Sequence, residues 1–237
     1  IKQYQFVDNN NKYYVRENPY RALIDFSNGK GSNDFNEIME KNVFSFPKPI
    51  DLIEFIQKVG SNNDSIILDF FGGSSSTAHA VLKLNAKGDK RRFILIQVPE
   101  ATDEKSEAYK TGYKNICEIG KERIRRAGDK ILEESDNKDL DVGFKVFKLD
   151  SSNLEKWDPD YDNLEQMLLI NRETIKPDRT ELDLIYEIML KYGIDLTLPI
   201  EKLNNIYSIG YGALLICLED NITKEIAEEI IKLKSDN

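Results

Sequence analysis

A short glycine loop is the part of the sequence whose residue types and spacing best suit the binding of a ligand. The segment "LDFFGGSSSTAHAVL" (68–82) starts at the end of an apolar run, passes through Gly72 and Gly73, and continues in a helical pattern. At the carboxyl edge of a parallel sheet, a glycine turn lets backbone amides approach a ligand closely. Asp69, at the end of the strand, is suited either to bind an ammonium group of the ligand or to orient the turn.

Three classes of ligand use loops of this kind. A nucleoside triphosphate loop requires a Gly-Lys-Ser/Thr ending, but no lysine follows Gly73 before Lys83. A dinucleotide loop requires the pattern Gly-x-Gly-x-x-Gly, and its third glycine is absent. S-adenosylmethionine is the third class. By itself, the loop also fits an ordinary tight turn, and an oxidoreductase that binds NAD remains an alternative.

Predicted strands and helices surround the loop. "SIILD" (65–69) and "FILIQV" (93–98) are β-branched runs typical of buried parallel strands, with the helix "STAHAVLKLN" between them. They predict a strand–helix–strand unit of an α/β sheet. The segment "GFKVFKL" (143–149) predicts a third strand, and residues 111–134 predict a long helix before it.

Two shorter helices are predicted upstream of the loop. One spans residues 29–41, is capped by Ser32 or Asn33, and ends at "FPKP" (46–49), because prolines interrupt a helix. The other, "IDLIEFIQKVG" (50–60), has an apolar stripe on one face, formed by Leu52, Ile53, Ile56 and Val59. Residues 1–30 show no helical period and suggest irregular or hairpin structure.

The pattern changes after a polar stretch that begins near residue 151. Residues 180–193 predict a helix with a capping box at Thr180 and Asp183. "NIYSIGYGALLICLE" (205–219) predicts a β-hairpin, and "TKEIAEEIIKLK" (223–234) predicts a closing helix. Because this region shows no site chemistry, a non-catalytic assembly module is the alternative to an enzyme.

The composition excludes several classes of function. The sequence has no apolar run near the roughly 20 residues that cross a bilayer. Its two cysteines, Cys117 and Cys217, are too far apart for a CxxC metal site, and the simplest interpretation is a reduced, cytoplasmic protein. The single histidine, His79, argues against zinc chemistry and a Ser-His-Asp triad, and we expect it to pack within its helix.

The charge of the chain argues against a surface that binds nucleic acid throughout. The formal net charge is -9, whereas phosphate contacts require clustered lysine and arginine. The densest basic segments are "KGDKRR" (87–92) and "KERIRR" (121–126). We expect both to be ordinary solvated faces.

Four motifs, in order, carry a specific resemblance. They are "FSFPKPIDLIEFI" (44–56), "ILDFFGGSSSTAHAVLKLN" (67–85), "RRFILIQVPE" (91–100) and "GFKVFKLDSSN" (143–153). Together they resemble the DNA-methyltransferase (modification) subunit of type III restriction-modification systems, which belongs to the β-class and methylates adenine at N6. The resemblance implies an α/β fold: part of a Rossmann-like S-adenosylmethionine-dependent methyltransferase sheet with a C-terminal α+β extension.

The resemblance also implies which residues bind the cofactor. The "FPKP" segment and Leu52 would line the methionine side. Gln97 stands where many relatives have a glutamate that binds the ribose hydroxyls, and Glu100 follows it. Phe70 and Phe71 alternate, so one should pack in the core while the other meets the cofactor. The full set is Pro47, Lys48, Pro49, Leu52, Asp69, Phe70, Phe71, Gly72, Gly73, Ser74, Ser75, Gln97 and Glu100.

The loop departs from the family pattern at two positions. Ser75 replaces the usual third glycine and Ser76 replaces the first threonine. If this glycine takes a positive φ in relatives, Ser75 is strained by about 1–3 kcal/mol or the turn changes shape. We therefore expect an effect on cofactor affinity.

The family's catalytic motif, Asp-Pro-Pro-Tyr, does not occur in the sequence, so no catalytic residue is assigned. "NPYR" (18–21) and "DPDY" (158–161) each lack a proline and are interpreted as surface turns. In the β-class this motif and the target-recognition region precede the cofactor loop, and the sequence begins without methionine. We expect the C-terminal portion of a longer methyltransferase, inactive by itself.

The resemblance also implies a domain organisation and partners. Residues 1–46 would connect to the target-recognition region, 47–150 would bind S-adenosylmethionine, and 151–237 would form the α+β region. The full enzyme would act on double-stranded DNA, form a homodimer and bind a restriction subunit. The alternative, a non-catalytic assembly module, would dock a restriction partner or a second methyltransferase subunit.

Overall fold

The computed structural model describes residues 6–7, 13–14, 26–154 and 175–235 of the chain, which divides into two compact units, Ile1–Phe144 and Lys145–Asn237. The described elements of the first unit are β1 (Phe6–Val7), β2 (Tyr13–Tyr14), α1 (Asn28–Met39), α2 (Ile50–Gly60), β3 (Ile66–Asp69), α3 (Ser76–Asn85), β4 (Arg92–Leu95), α4 (Glu107–Lys110) and α5 (Ile116–Glu134). Those of the second unit are α6 (Glu181–Lys191), β5 (Ile200–Leu203), β6 (Ile206–Ile209), β7 (Leu214–Cys217) and α7 (Lys224–Ser235).

The predicted strand–helix–strand unit is confirmed, but the prediction that its strands are buried was wrong, because Ile66, Leu68 and Ile94 are each about half exposed. Strands β3 and β4 pair in parallel, with Ile66 opposite Arg92 and Asp69 opposite Leu95. Helix α3 connects them and packs between α2 and α5. Apolar side chains of α3, including Leu82, join Ile124 of α5 in one core cluster, with Phe93 of β4 packed against it. The glycine loop is the segment between β3 and α3. It therefore lies at the carboxyl edge of the sheet, as the sequence predicts.

Helix α2 forms where predicted, but the prediction of its buried face was wrong. Ile56 is 50% exposed and Val59 41% exposed, whereas Glu54 and Gln57 are buried. The cause is polar contact with α3: the Glu54 carboxylate pairs with lysines of that region, including Lys83 at 2.9 Å. Gln57 Nε2 donates to the backbone oxygen of Thr77 at 3.2 Å. A paired carboxylate and a hydrogen-bonded amide are buried at low cost, so they displace the apolar stripe from the packed face.

The third predicted strand, "GFKVFKL", was wrong: residues 141–150 form no strand. Val142 and Phe144 instead pack on the core of α3 and α5. Gly128 of α5 permits this approach, since a Cβ at Gly128 would lie 3.0 Å from the Cβ of Val142. Packing against a helix takes the place of pairing with the sheet, and Leu149 further along is exposed.

Other elements follow the predictions more closely. The short strands β1 and β2 pair antiparallel. Helix α1 begins after Ser27, upstream of the predicted caps Ser32 and Asn33. Among the described residues, no helix has the length and apolar character required to span a membrane.

The second unit is a three-stranded antiparallel sheet flanked in sequence by two helices. The predicted hairpin is confirmed as β6 and β7, and β5, which was not predicted, pairs with β6. Thr180 and Asp183 form the predicted capping box of α6. The buried core includes Ile185, Met189 and Ile209.

Candidate functional site

The loop between β3 and α3 is a tight turn with two residues in the left-handed region. Gly73 has φ of +50° and Ser75 has φ of +60°. The amide of Gly72 donates to the backbone oxygen of Ile96 at 3.1 Å, and the amide of Ser75 donates to the oxygen of Gly72 at 2.7 Å. A Cβ at Gly72 would lie 3.3 Å from the Cβ of Leu95, so this glycine lets the loop lie close against β4. Ser75, where the family pattern has glycine, therefore adopts the conformation that glycine favours.

Asp69 orients the turn. Its Oδ1 accepts the amide of Phe71 at 3.0 Å, and its Oδ2 accepts the hydroxyl of Thr77 at 2.6 Å. Of the two roles that the sequence left open, the structure shows orientation of the turn, and binding of an ammonium group stays a prediction because each carboxylate oxygen can accept a further hydrogen bond. The contact with Thr77 also joins the end of β3 to the first turn of α3.

Gln97 is joined directly to the loop. Its Oε1 accepts the amide of Gly73 at 2.7 Å, and its Nε2 donates to the oxygen of Val98 at 3.0 Å. This position lies two residues after the end of β4, and the side chain reaches across the carboxyl edge of the sheet to the turn. An amide oxygen accepts two hydrogen bonds, which leaves capacity for a hydroxyl donor of a ligand.

The "FPKP" segment lies against the other side of the loop. The hydroxyl of Ser76 donates to the backbone oxygen of Lys48 at 3.2 Å. Pro47 and Pro49 are buried, whereas the side chain of Lys48 is exposed. Gly31 of α1 makes this arrangement possible, because a Cβ at Gly31 would lie 2.0 Å from the oxygen of Pro47.

Two aromatic rings project from the loop. Phe70 is 60% exposed and Phe71 is 88% exposed. The prediction that one of them packs in the core was wrong, because the chain bends at the end of β3 rather than continuing its alternation. Adjacent exposed rings are costly in water and mark a surface that binds a ligand or a partner.

The structure brings most of the predicted site residues together, but not all. Asp69 to Ser75, Gln97 and the "FPKP" segment meet at the carboxyl edge of β3 and β4. Leu52 is half-buried in α2, and Glu100 is exposed. The backbone oxygen of Glu100 accepts the amide of Ile116 at 3.0 Å. Among the described residues, no hydrogen bond joins the side chain of either one to the loop. The segments "NPYR" and "DPDY" lie outside the described residues.

Arg123 of α5 is a site residue that the sequence analysis missed. It is 0% exposed, and its Nη1 donates to the backbone oxygen of Ser74 at 3.1 Å. Burial lowers the pKa of this guanidinium to about 10. The prediction that "KGDKRR" and "KERIRR" are solvated faces was therefore wrong for Arg91, which is 5% exposed, and for Arg123. The helical spacing of Gly120, Arg123 and Ala127 places Arg123 on the buried face and could have identified it.

His79 packs inside the unit, as predicted. It is 6% exposed, and its Nδ1 has no hydrogen-bond partner among the described residues. Burial, together with the charges of Arg123, Lys83 and Lys130, lowers the pKa of this imidazole to about 3. It is therefore neutral at physiological pH.

These features define an α/β unit with a glycine loop at the carboxyl edge of two parallel strands. Residues 2–129 match a family model described as DNA methylase, N6_N4_Mtase. Since the match covers more than half of the chain, the protein belongs to this DNA methylase family.

Relatives among curated proteins confirm the resemblance to type III modification subunits. The chain is 40% identical over 123 residues to the type III restriction-modification enzyme StyLTI Mod subunit of Salmonella typhimurium, covering 52% of this chain and 19% of that protein. It is 32% identical over 224 residues to the EcoPI Mod subunit of Escherichia phage P1, covering 90% of this chain and 33% of that protein. The EcoP15I Mod subunit of Escherichia coli is 35% identical over 131 residues, covering 54% of this chain and 19% of that protein. The chain thus spans at most about a third of the length of these relatives.

Proposed function

We propose that this chain supplies the S-adenosylmethionine-binding part of a site-specific DNA adenine-N6 methyltransferase of a type III restriction-modification system, with a Rossmann-like sheet. The observation that supports this most is the joining of three motifs at one sheet edge. The loop that follows Asp69, the side chain of Gln97 and the "FPKP" segment all meet there, and each is a motif of the family.

The residues present fit such a cofactor. A Cβ built on Gly73 would lie 3.6 Å from the ring of Phe44 and 3.6 Å from the backbone oxygen of Phe71, which are ordinary van der Waals contacts, so no overlap closes the turn at this glycine. Phe70 and Phe71 offer apolar surface to the adenine ring or the methionine part, and Gln97 Oε1 offers an acceptor to a ribose hydroxyl. Pro47, Lys48, Pro49 and Leu52 would line the methionine side, Gly72, Ser74 and Ser75 would complete the loop, and Glu100 would stand near the ribose.

In this proposal the chain positions the methyl donor and does not hold the base. S-adenosylmethionine supplies a methyl group that passes from its sulfonium to the N6 amino nitrogen of a flipped adenine. An Asp-Pro-Pro-Tyr motif, which in the family holds that amino group, is absent from the 237 residues. The chain alone should therefore bind the cofactor without methylating DNA.

The remaining parts of the chain receive proposed roles from the same family pattern. Residues 1–46 would lead from the target-recognition region, 47–150 would bind the cofactor, and 151–237 would form a docking region. The intact enzyme would act on double-stranded DNA as a homodimer and bind a restriction subunit through that region.

A two-part experiment tests the proposal. The purified chain is titrated with S-adenosylmethionine, NAD and ATP in a calorimeter, and then incubated with methyl-labelled S-adenosylmethionine and unmethylated DNA. We expect saturable heat with S-adenosylmethionine alone and no label in the DNA. Binding of NAD or ATP in its place would overturn the cofactor, and labelled DNA would overturn the inactivity of the isolated chain.

A further inference from the structure

Arg123 is a buried cation that is bound by the loop rather than by a carboxylate. Its Nη1 lies 3.1 Å from the backbone oxygen of Ser74, 2.8 Å from the hydroxyl of Ser74 and 2.8 Å from the hydroxyl of Ser76. Its guanidinium carbon lies 5.1 Å from the ring centre of Phe35. In the described part of the chain, no acidic side chain lies within ion-pair distance of it, although, against the larger effect of burial, the charge of Asp34 raises its pKa. All of its oxygen partners therefore belong to residues on either side of Ser75.

Ser75, which lies between these two serines, has a strained backbone conformation. Ser75 has φ of +60° and ψ of 34°, a left-handed conformation that is strained for a residue with a Cβ. Ser75 is 5% exposed, so water does not hold its backbone in place. Other groups of the protein must therefore stabilise this backbone conformation. The guanidinium of Arg123 is placed to do so, because it donates hydrogen bonds to both neighbours of Ser75, Ser74 and Ser76.

The same face of α5 fits the loop at a second point. Gly120 lies one turn before Arg123, and a Cβ there would lie 2.6 Å from the hydroxyl oxygen of Ser75 and 3.2 Å from the backbone oxygen of Gly73. Helix α5 therefore contacts the turn through both Gly120 and Arg123. This contact packs the loop directly against α5.

We propose that Arg123 is a positioning residue for the cofactor loop, which holds the strained turn at Ser75 so that Gly72 and Gly73 keep the conformation that receives S-adenosylmethionine. The inference rests on the proposed function, since it assigns Arg123 a role at the same site. Arg123 acts through the loop and does not touch the cofactor itself.

The burial of Arg123 is hard to explain by packing alone. Its Nε and Nη2 have no hydrogen-bond partner among the described residues, and burying a guanidinium in this way is costly. An apolar side chain would fill the same space at lower cost. Arg123 adds what an apolar side chain lacks, namely donors for the backbone oxygen of Ser74 and for two hydroxyls.

A rescue experiment separates this role from general stabilisation. The variants are Arg123→Met, Ser75→Gly and the double variant. Arg91→Met is the matched control, because Arg91 is also buried but its guanidinium donates to the Asp89 carboxylate and to the backbone oxygen of Gln57 in α2 rather than to the loop. The dissociation constant for S-adenosylmethionine is measured by calorimetry, and amide hydrogen exchange is followed in peptides that cover residues 70–78.

We expect Arg123→Met to weaken cofactor binding at least about tenfold and to speed exchange in the loop, and Arg91→Met to change affinity less than about twofold. Glycine at position 75 lowers the cost of the turn, so Ser75→Gly should recover much of the affinity lost in Arg123→Met. If Arg123→Met fails to fold, Arg123→Lys, which keeps the charge but only part of the donor geometry, is expected to show a smaller loss with the same rescue.

Three results would overturn the inference: unchanged affinity in a folded Arg123 variant, an equal loss in Arg91→Met, or no recovery with Ser75→Gly. A wild-type chain that does not bind S-adenosylmethionine would overturn the proposed function instead. In that case, amide hydrogen exchange still tests whether Arg123 holds the loop. Faster exchange in the loop of Arg123→Met than in that of Arg91→Met supports this role, and equal exchange in the two variants contradicts it.

Discussion

The side-chain oxygen of Gln97 accepts a hydrogen bond from the amide of Gly73 over 2.7 Å, across the carboxyl edge of the sheet. This contact ties the end of β4 to the glycine loop after β3, so two strands that are parallel neighbours share one site. It also gives Gln97 two tasks in our proposal, since the oxygen that holds the loop is the one that would meet a ribose hydroxyl.

Changing Gln97 should alter cofactor affinity in either direction. Gln97→Glu keeps an oxygen for Gly73 and adds a charge that strengthens hydrogen bonds from hydroxyl groups, so we expect S-adenosylmethionine to bind about fivefold more tightly. Gln97→Met has a similar length but no acceptor, and should bind at least about fivefold more weakly. Calorimetry measures the dissociation constant for S-adenosylmethionine in both variants. Equal dissociation constants in the two variants would show that Gln97 does not contact the cofactor.

A methyl group at Gly31 should disturb the "FPKP" segment. Its Cβ would lie 2.0 Å from the oxygen of Pro47 and 2.9 Å from the nitrogen of Pro49, so we expect Gly31→Ala to lower the free energy of unfolding by about 2–3 kcal/mol. Gly29 of the same helix is the matched control, because its Cβ would meet only Ser27 Oγ, at 3.6 Å. Gly29→Ala should stabilise the chain by up to about 1 kcal/mol. Urea denaturation measures both changes, and a stable Gly31→Ala would refute the close approach.

His79 should make the stability of the chain depend on pH. Folding lowers its pKa from 6.5 to about 3, so below pH 6.5 the unfolded chain takes up a proton that the folded chain does not. Stability is therefore full above pH 6.5 and falls as the pH drops towards 3, by about 2 kcal/mol between pH 8 and pH 5. Denaturation at these two pH values should show a smaller fall in His79→Gln. An identical fall in the variant would show that His79 is not the cause.

The parts of the fold that the sequence predicted are those set by local pattern. The β-branched runs at 65–69 and 93–98 correctly predicted β3 and β4, and the capping box at Thr180 correctly predicted where α6 begins. The hairpin in the second unit also followed from its own residues. In each case the deciding interaction lies within a few positions of the chain or between adjacent strands.

The failures involve contacts between distant segments. The hydrophobic periodicity of α2 predicted that its apolar stripe is buried. In the structure a different face of the helix is buried, because Glu54 on that face pairs with lysines in and near α3. The run after Gly143 has the composition of a strand, yet Val142 beside Gly128 directs this segment onto α5. Arg123 looked like part of a solvated basic face because its partners, Ser74 and Ser76, are nearly fifty positions away.

Calorimetric binding of S-adenosylmethionine to a glycine-loop variant tests the central claim most directly. Gly73→Asp places a carboxylate beside the turn, in a left-handed conformation that aspartate tolerates. Gly193→Asp is the matched control, because Gly193 also has a positive φ, +68°, with nothing near its Cβ position, and lies in the second unit. Circular dichroism confirms that both variants are folded. We predict saturable heat for the wild type and Gly193→Asp and none for Gly73→Asp. Equal heats in all three proteins would contradict the assignment of this loop as the cofactor site.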